Sequence, residues 1–319
     1  MVRNSSWTVV PLLLFGSFCL SVMAEHVPPQ AVRSVAFVYV PDGHGQLQAH
    51  GTCFFVGMRH PSIPDSGWVY VVTARHVLQR DMYDPTSDLV PQIVIRVNNA
   101  KGSAEFLKVL LKASGVDKNV YLHPDRSVDL AVLEVPQADP TKLDVSLVGV
   151  EMFLSAADVN DHKLNEGIDL FFAGMFTSYL GVSRIQPIVR FGRLAMIPSE
   201  PVEWLGLPTE LLLADTFSFG GNSGSPVFFY EGIDRDAGSI TIGEPLVRLA
   251  GVMEGYFPDA EPTQTLDVPA SARRRGRSRK VIYSFTNTGI AAITPAYKLH
   301  EILFGRELSS KRNPQSGRP

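Results

Sequence analysis

Gly221-Asn222-Ser223-Gly224-Ser225-Pro226 follows an aromatic stretch and leads straight into the apolar run Val227-Phe228-Phe229-Tyr230. Glycine takes backbone angles that other residues avoid, so a serine flanked by glycines can sit on a tight turn. The backbone N–H groups of such a turn can converge on one point, as an oxyanion hole requires. A serine is a poor nucleophile until a base takes its proton, so this reading needs a histidine and a carboxylate elsewhere in the chain.

Of the eight histidines, His76 has an unusual setting: the apolar run Val69–Thr73 reads as a strand, and Thr73-Ala74-Arg75-His76-Val77-Leu78 turns out of it. The carboxylate candidate is Asp129, in Ser127-Val128-Asp129-Leu130-Ala131-Val132-Leu133, a charge immediately ahead of a core strand. Neither residue is informative alone, since a histidine beside apolar residues and an acid at a strand end are both ordinary structural features. Metal chemistry fails on spacing, because the chain has no H-E-x-x-H and no C-x-x-C.

Around these segments lie short β-branched or aromatic runs separated by Gly, Pro, Asn and Asp. They are Val35–Val40, Thr52–Val56, Val69–Thr73, Gln92–Val97, Leu130–Val135, Leu170–Ala173, Ile188–Phe191, Pro226–Tyr230, Leu249–Met253 and Val281–Phe285. Strands of this length, with little room between them for crossover helices, predict an all-β sandwich or a pair of barrels. One helix is predicted after them, with Thr294 as N-cap, Pro295 in the first helical position, Leu299, Ile302 and Leu303 on one face and Gly305 as its stop. The polar tail from Ser309 is expected to fray.

Taken together, the segments resemble the trypsin-like (chymotrypsin-fold) serine peptidases, in particular their disulfide-poor bacterial branch, which includes the HtrA-type enzymes. Thr73-Ala74-Arg75-His76-Val77 is similar to the family's T-A-x-H-[CV], Asp129–Leu133 to its D-[IL]-A-[LV]-[LI], and Gly221–Pro226 to its G-[ND]-S-G-[GS]-P. Gly51-Thr52-Cys53-Phe54-Phe55-Val56 is similar to the strand upstream of the histidine, with Cys53 in place of a glycine. The order His, Asp, Ser is the family's, and the resemblance covers the chain from about residue 35 to 305. An α/β-hydrolase is disfavoured, because position 225 is Ser where its elbow needs Gly, and only His300 follows the nucleophile.

The resemblance implies two Greek-key β-barrels with a C-terminal helix. Residues 25–150 would form the first barrel with His76 and Asp129, and 151–308 the second with Ser223 and the helix, followed by the tail 309–319. It also implies that Ser223 attacks a carbonyl, that His76 serves as base and then acid, that Asp129 holds the imidazole, and that the N–H groups of Gly221 and Ser223 bind the oxyanion. The substrate pocket by the same resemblance draws on Phe217, Phe219 and Val252, giving an apolar preference. Two departures matter. Asn222 stands where zymogen-activated relatives have an acid, so activation by a freed N-terminus is not expected, and Val77 stands where a disulfide cysteine would be. Nothing after Gly305 is long enough for a PDZ domain.

The chain has 319 residues, of which 45% are hydrophobic and 19% charged, with a formal charge of −3. That balance excludes disorder and gives no global drive toward nucleic acid. Arg3, the apolar run Val9–Val22 and Val22-Met23-Ala24 read as a signal peptide over residues 1–24, which predicts export to a periplasm or extracellular space, with no stable membrane span once the signal is cleaved. Cleavage would remove Cys19 and leave Cys53 as a lone thiol, expected to be buried. Pro258–Lys280 reads as a long loop ending in the basic run Arg273, Arg274, Arg275, Arg277, Arg279 and Lys280. No cofactor is called for, and the partner is a polypeptide substrate. A catalytically silent binding module and an esterase or acyltransferase with the same triad remain alternatives; oligomeric state is not legible.

Overall fold

The computed structural model describes residues 27–63, 66–136, 138–160, 164–231, 246–267 and 279–312. The signal peptide expected at 1–24, most of the basic run and the end of the tail lie outside them.

The main path of the first, eight-stranded sheet has seven strands, β1 (Val35–Pro41), β2 (Leu47–Arg59), β3 (Gly67–Thr73), β4 (Gln92–Asn98), β5 (Ala104–Leu110), β6 (Val120–Leu122) and β7 (Ala131–Leu133), and a short eighth, Val148–Gly149, pairs parallel with β2. The seven pair in the spatial order β5-β4-β1-β2-β3-β7-β6. The placing of β4 beside β1 rather than β3 makes a Greek key. The two ends of this order, β5 and β6, are joined by residues 111–119 but not by a ladder, so this sheet is an open half-barrel.

The second unit repeats that order as a closed six-stranded barrel. Its strands are β8 (Asp169–Gly174), β9 (Ile188–Met196), β10 (Leu212–Asp215), β11 (Pro226–Glu231), β12 (Leu246–Asp267) and β13 (Arg279–Pro295), in the ring β8-β9-β10-β13-β12-β11. Here β11 returns to pair β8. Two Greek-key units of one topology are the architecture that the resemblance implies.

Successive side chains of a strand point to opposite faces, and in the strands between the two units both faces are buried. In β2, Cys53 and Phe55 enter the core of the first barrel while Phe54, Val56 and Met58 join the cluster shared with the second. In β3, Val71 goes one way and Tyr70 and Val72 the other, and β7 divides Ala131 and Leu133 from Val132 in the same manner. This explains why the sequence runs are continuously apolar rather than alternating. Cys53 is fully buried and unpaired, and burial pushes its thiol well above the usual range.

Three expectations need correction. Pro258–Lys280 is not simply a loop: residues 258–267 continue β12 and pair with 279–287 of β13, out to Asp267 opposite Arg279. The prolines read as strand breakers, yet Pro258 and Pro262 fall at shifts of register, where a missing N–H interrupts no ladder. Thr294 does not cap the helix; it lies within β13, paired with Val252, the helix runs Ala296–Leu303, and Pro295, the last residue of β13, precedes it without a side-chain cap. Residues from Ser309 do not fray at once, since a second helix spans Arg306–Arg312. Its Arg312 guanidinium lies over Trp68, Tyr70 and Phe304, at 5.7, 6.0 and 5.8 Å from the ring centroids. The chain thus returns from the second barrel to fasten onto the first.

Candidate active site

The turn that carries Ser223 is held from both barrels. Gly221 takes φ +94° and Gly224 φ +85°, angles that favour glycine, so the backbone can double back on either side of the serine. Thr52 of β2 anchors it: Thr52 N–H donates to Ser223 O at 2.8 Å, and Thr52 Oγ1 donates to Gly221 O at 2.7 Å while accepting Met175 N–H at 2.9 Å. Thr73 Oγ1 in turn donates to Thr52 O at 2.7 Å. A Cβ at position 224 would stand 2.1 Å from Thr52 O and 2.4 Å from Thr73 Oγ1. Gly224→Ala therefore combines backbone strain with a clash against main chain, and is expected to destabilise by on the order of 3–5 kcal/mol in urea denaturation.

Asn222 is buried, and its amide is spent on backbone at both ends. Nδ2 donates to Met175 O at 2.8 Å and Oδ1 accepts Phe219 N–H at 2.9 Å. A neutral side chain thus fixes the turn with no charged partner. Among the described residues, neither Gly221 N–H nor Ser223 N–H is spent on an acceptor, whereas Asn222 N–H donates to Phe219 O and Gly224 N–H to Met253 O.

His76 lies in a short 3-10 turn, Arg75–Leu78, that leaves the end of β3. Asp129 sits just ahead of β7, which pairs with β3, so strand pairing alone brings the two side by side. The contact is double: His76 N–H donates to Asp129 Oδ1 at 2.8 Å, and His76 Nδ1 meets Asp129 Oδ2 in a short hydrogen bond. Both side chains are nearly buried, with 11% and 13% of their surface exposed, which leaves one edge of the imidazole for another group. Arg75 N–H also donates to Asp129 O, tying the main chains at 3.2 Å.

Ser223 Oγ donates to the main-chain oxygen of Glu254 on β12 at 2.8 Å, and it makes no hydrogen bond to His76. A change of serine rotamer, a picosecond-to-nanosecond event for an accessible side chain, is needed before the hydroxyl can give its proton to the imidazole. Catalytic hydrogen bonds commonly tighten only when substrate is bound.

The residues expected to form a substrate pocket do not share one environment. Phe217 and Phe219 are half-exposed, stacked on each other at 6.2 Å, and the Arg190 guanidinium covers Phe219 at 4.8 Å. Val252 is fully buried in the barrel core, because β12 is covered on both faces there, so it lines no open pocket.

Two features were missed in the sequence. A hairpin, Val202–Trp204 with Leu207–Thr209, projects from the second barrel on a turn with positive φ at both Leu205 and Gly206. This is the arrangement of a two-residue hairpin turn, and only Gly206 signalled it. Trp204 of this hairpin shares a small pocket with Arg75, His76, Met82 and Asp129, and it packs edge-on against Phe257. The other is Glu254, a buried acid on a strand that otherwise reads as core.

No family model matches the chain, and no curated protein matches it in sequence. Among solved structures, it is similar to the MamO protease domain from Magnetospirillum magneticum, at 15% identity over 85% of this chain and 96% of that one, with a TM-score of 0.45. It is also similar to human heparin binding protein, at 12% identity over 92% of this chain and 98% of that one, with a TM-score of 0.46.

Proposed function

We propose that the chain is an exported serine endopeptidase that hydrolyses peptide bonds through His76, Asp129 and Ser223 and an acyl-enzyme intermediate. The observation that carries the reading is the doubly hydrogen-bonded His76–Asp129 pair of one barrel, together with a serine on a glycine turn of the other, where the N–H groups of Gly221 and of Ser223 itself are unspent. In this reading Asp129 holds the Nδ1 proton, which leaves the Nε2 lone pair to take the proton of Ser223 as Oγ attacks. The imidazolium then returns that proton to the leaving amine. Gly221 N–H and Ser223 N–H meet the developing oxyanion, where each donor contributes about 3 kcal/mol. The exposed pair Phe217 and Phe219, immediately before the turn, offers an apolar surface for the residue preceding the scissile bond.

A fluorophosphonate, which labels only an activated serine, tests the reading directly. Wild-type protein should be labelled and Ser223→Ala should not; wild type left unlabelled would sink the proposal. One observation favours a second reading, a peptidase fold kept for binding: the Ser223 hydroxyl is engaged by Glu254 O rather than by His76. Labelling separates the two, and relative turnover of peptide and ester separates a peptidase from an esterase.

A further inference from the structure

Beside the His76–Asp129 pair lies a small pocket whose walls come from separate segments of both barrels. Arg75 belongs to the turn that leaves β3, Arg126 to the connection between β6 and β7, and Trp204 and Leu207 to the hairpin that projects from the second barrel. Met82 extends the apolar wall made by Trp204 and Leu207. The space measures about 20 Å³, where one water needs roughly 10–15 Å³, so it suits a small head group and admits no ring.

Several polar groups of the lining are already committed. Gln79 Nε2 donates to Ser87 O at 2.8 Å, Ser127 Oγ to Asp125 Oδ1 at 2.8 Å and Thr209 Oγ1 to Leu207 O at 3.2 Å, while both oxygens of Asp129 are bonded to His76. Arg75 Nε and Trp204 Nε1 differ, being shut off from solvent with no acceptor. Among the described residues no acceptor pairs with any nitrogen of Arg75 or Arg126. A buried polar atom left unpaired in a native fold needs an explanation. Here the two are donors, one from each barrel, on a pocket that also holds a second unpaired guanidinium, so the partner that fits is an acceptor with negative charge.

We propose that this pocket is a subsite for an acidic residue, taking the carboxylate of an Asp or Glu side chain of a polypeptide in the cleft between the guanidinium groups of Arg75 and Arg126. That the polypeptide is cleaved rests on the peptidase reading; that the pocket takes a carboxylate does not. The planar guanidinium fork matches a carboxylate, which accepts two parallel N–H bonds from it. Two arginines outnumber the one acid of the lining, Asp129, whose oxygens are already engaged. Burial first, and then the Arg126 charge, hold the Arg75 guanidinium below its ordinary value, against the smaller opposing pulls of Asp129 and Asp117. An entering carboxylate relieves both the burial and the repulsion. Neither Phe217 nor Phe219 lines this pocket, so it reads a different residue of the peptide from the one the phenylalanines meet.

Peptides with a single scissile bond, carrying Glu, Gln or Lys in turn at each of the four positions on either side of it, test the proposal in the full chain. At one position wild type should prefer Glu over Gln by at least about tenfold in kcat/KM, the scale of one charge-assisted hydrogen bond, and the preference should shrink as salt rises. The Glu-to-Gln ratio at that position should fall in Arg126→Ala. In Arg126→Glu it should invert, with Lys taken over Glu, an outcome that mere damage to the fold does not produce. Arg126 is exposed, so both variants should melt within a few degrees of wild type. The absence of any position with a Glu preference, or a preference untouched by Arg126→Glu, overturns the proposal. If wild type neither labels with fluorophosphonate nor cleaves, the peptidase reading fails separately. Tryptophan emission then decides the subsite: titration with a Glu-containing peptide should change it saturably in wild type, more tightly than the Gln counterpart and not in Arg126→Glu or Trp204→Phe. An absent response, or an equal response to the two peptides, overturns the subsite as well.

Discussion

Ser223→Ala is expected to lower peptide hydrolysis by about a million-fold, the scale seen when a triad nucleophile is removed. The change deletes one oxygen, whose hydrogen bond in the resting site goes to Glu254 O. That bond is worth about 1 kcal/mol to stability. The turn itself is held by main-chain and Thr52 contacts that alanine retains. The variant should therefore fold, melt within a few degrees of wild type and keep the His76–Asp129 pair, while single-turnover assays find no acyl-enzyme. A variant still turning over within a hundredfold of wild type would mean that the hydrolysis has another nucleophile.

Asp129→Asn should cost about 10⁴-fold in kcat/KM, or roughly 5 kcal/mol of transition-state stabilisation. The magnitude follows from the two contacts of the carboxylate. His76 N–H must keep an acceptor, so the Asn oxygen takes the Oδ1 position and the amide NH₂ is turned to His76 Nδ1. Nδ1 is then forced to accept, the ring proton moves to Nε2, and the edge facing Ser223 has no lone pair to act as base. The substitution preserves shape, so melting temperature should change little while the second-order rate of fluorophosphonate labelling collapses. A loss of less than tenfold would show that Asp129 does not set the tautomer.

The sequence carried the site better than the periphery. His76, Asp129 and the Gly221–Pro226 turn were legible because strand pairing and glycine conformation, which leave local marks, bring them into place. Strand β1, the central part of β2, the end of β3 and β7 showed as apolar runs because they are buried on both faces, and β4 showed through Ile93, Ile95 and Val97 on its core face. Strand β5 was missed because Glu105, Phe106, Lys108 and Leu110 leave much of it polar or exposed. The hairpin at 202–209 escaped because Leu205, not a turn residue by type, takes a positive φ. Prolines misled where they coincide with bulges, at 258 and 262. Glu254 could have been noticed as a lone acid in Leu249–Gly255, but its partner Thr294 comes from a distant segment that no local pattern joins to it.

Thr52 hydrogen-bonds the nucleophile turn across 169 positions of sequence, and Arg312 reaches Tyr70 across 242. Contacts of such separation make folding slow, in the range of milliseconds to seconds or longer, because loop-closure entropy is lost before the contacts form. The turn bearing Ser223 has its Thr52 partner only where the two barrels meet, so the geometry of the candidate site is a property of the pair and not of either barrel alone. A partly folded chain holds the serine and the histidine as unconnected parts.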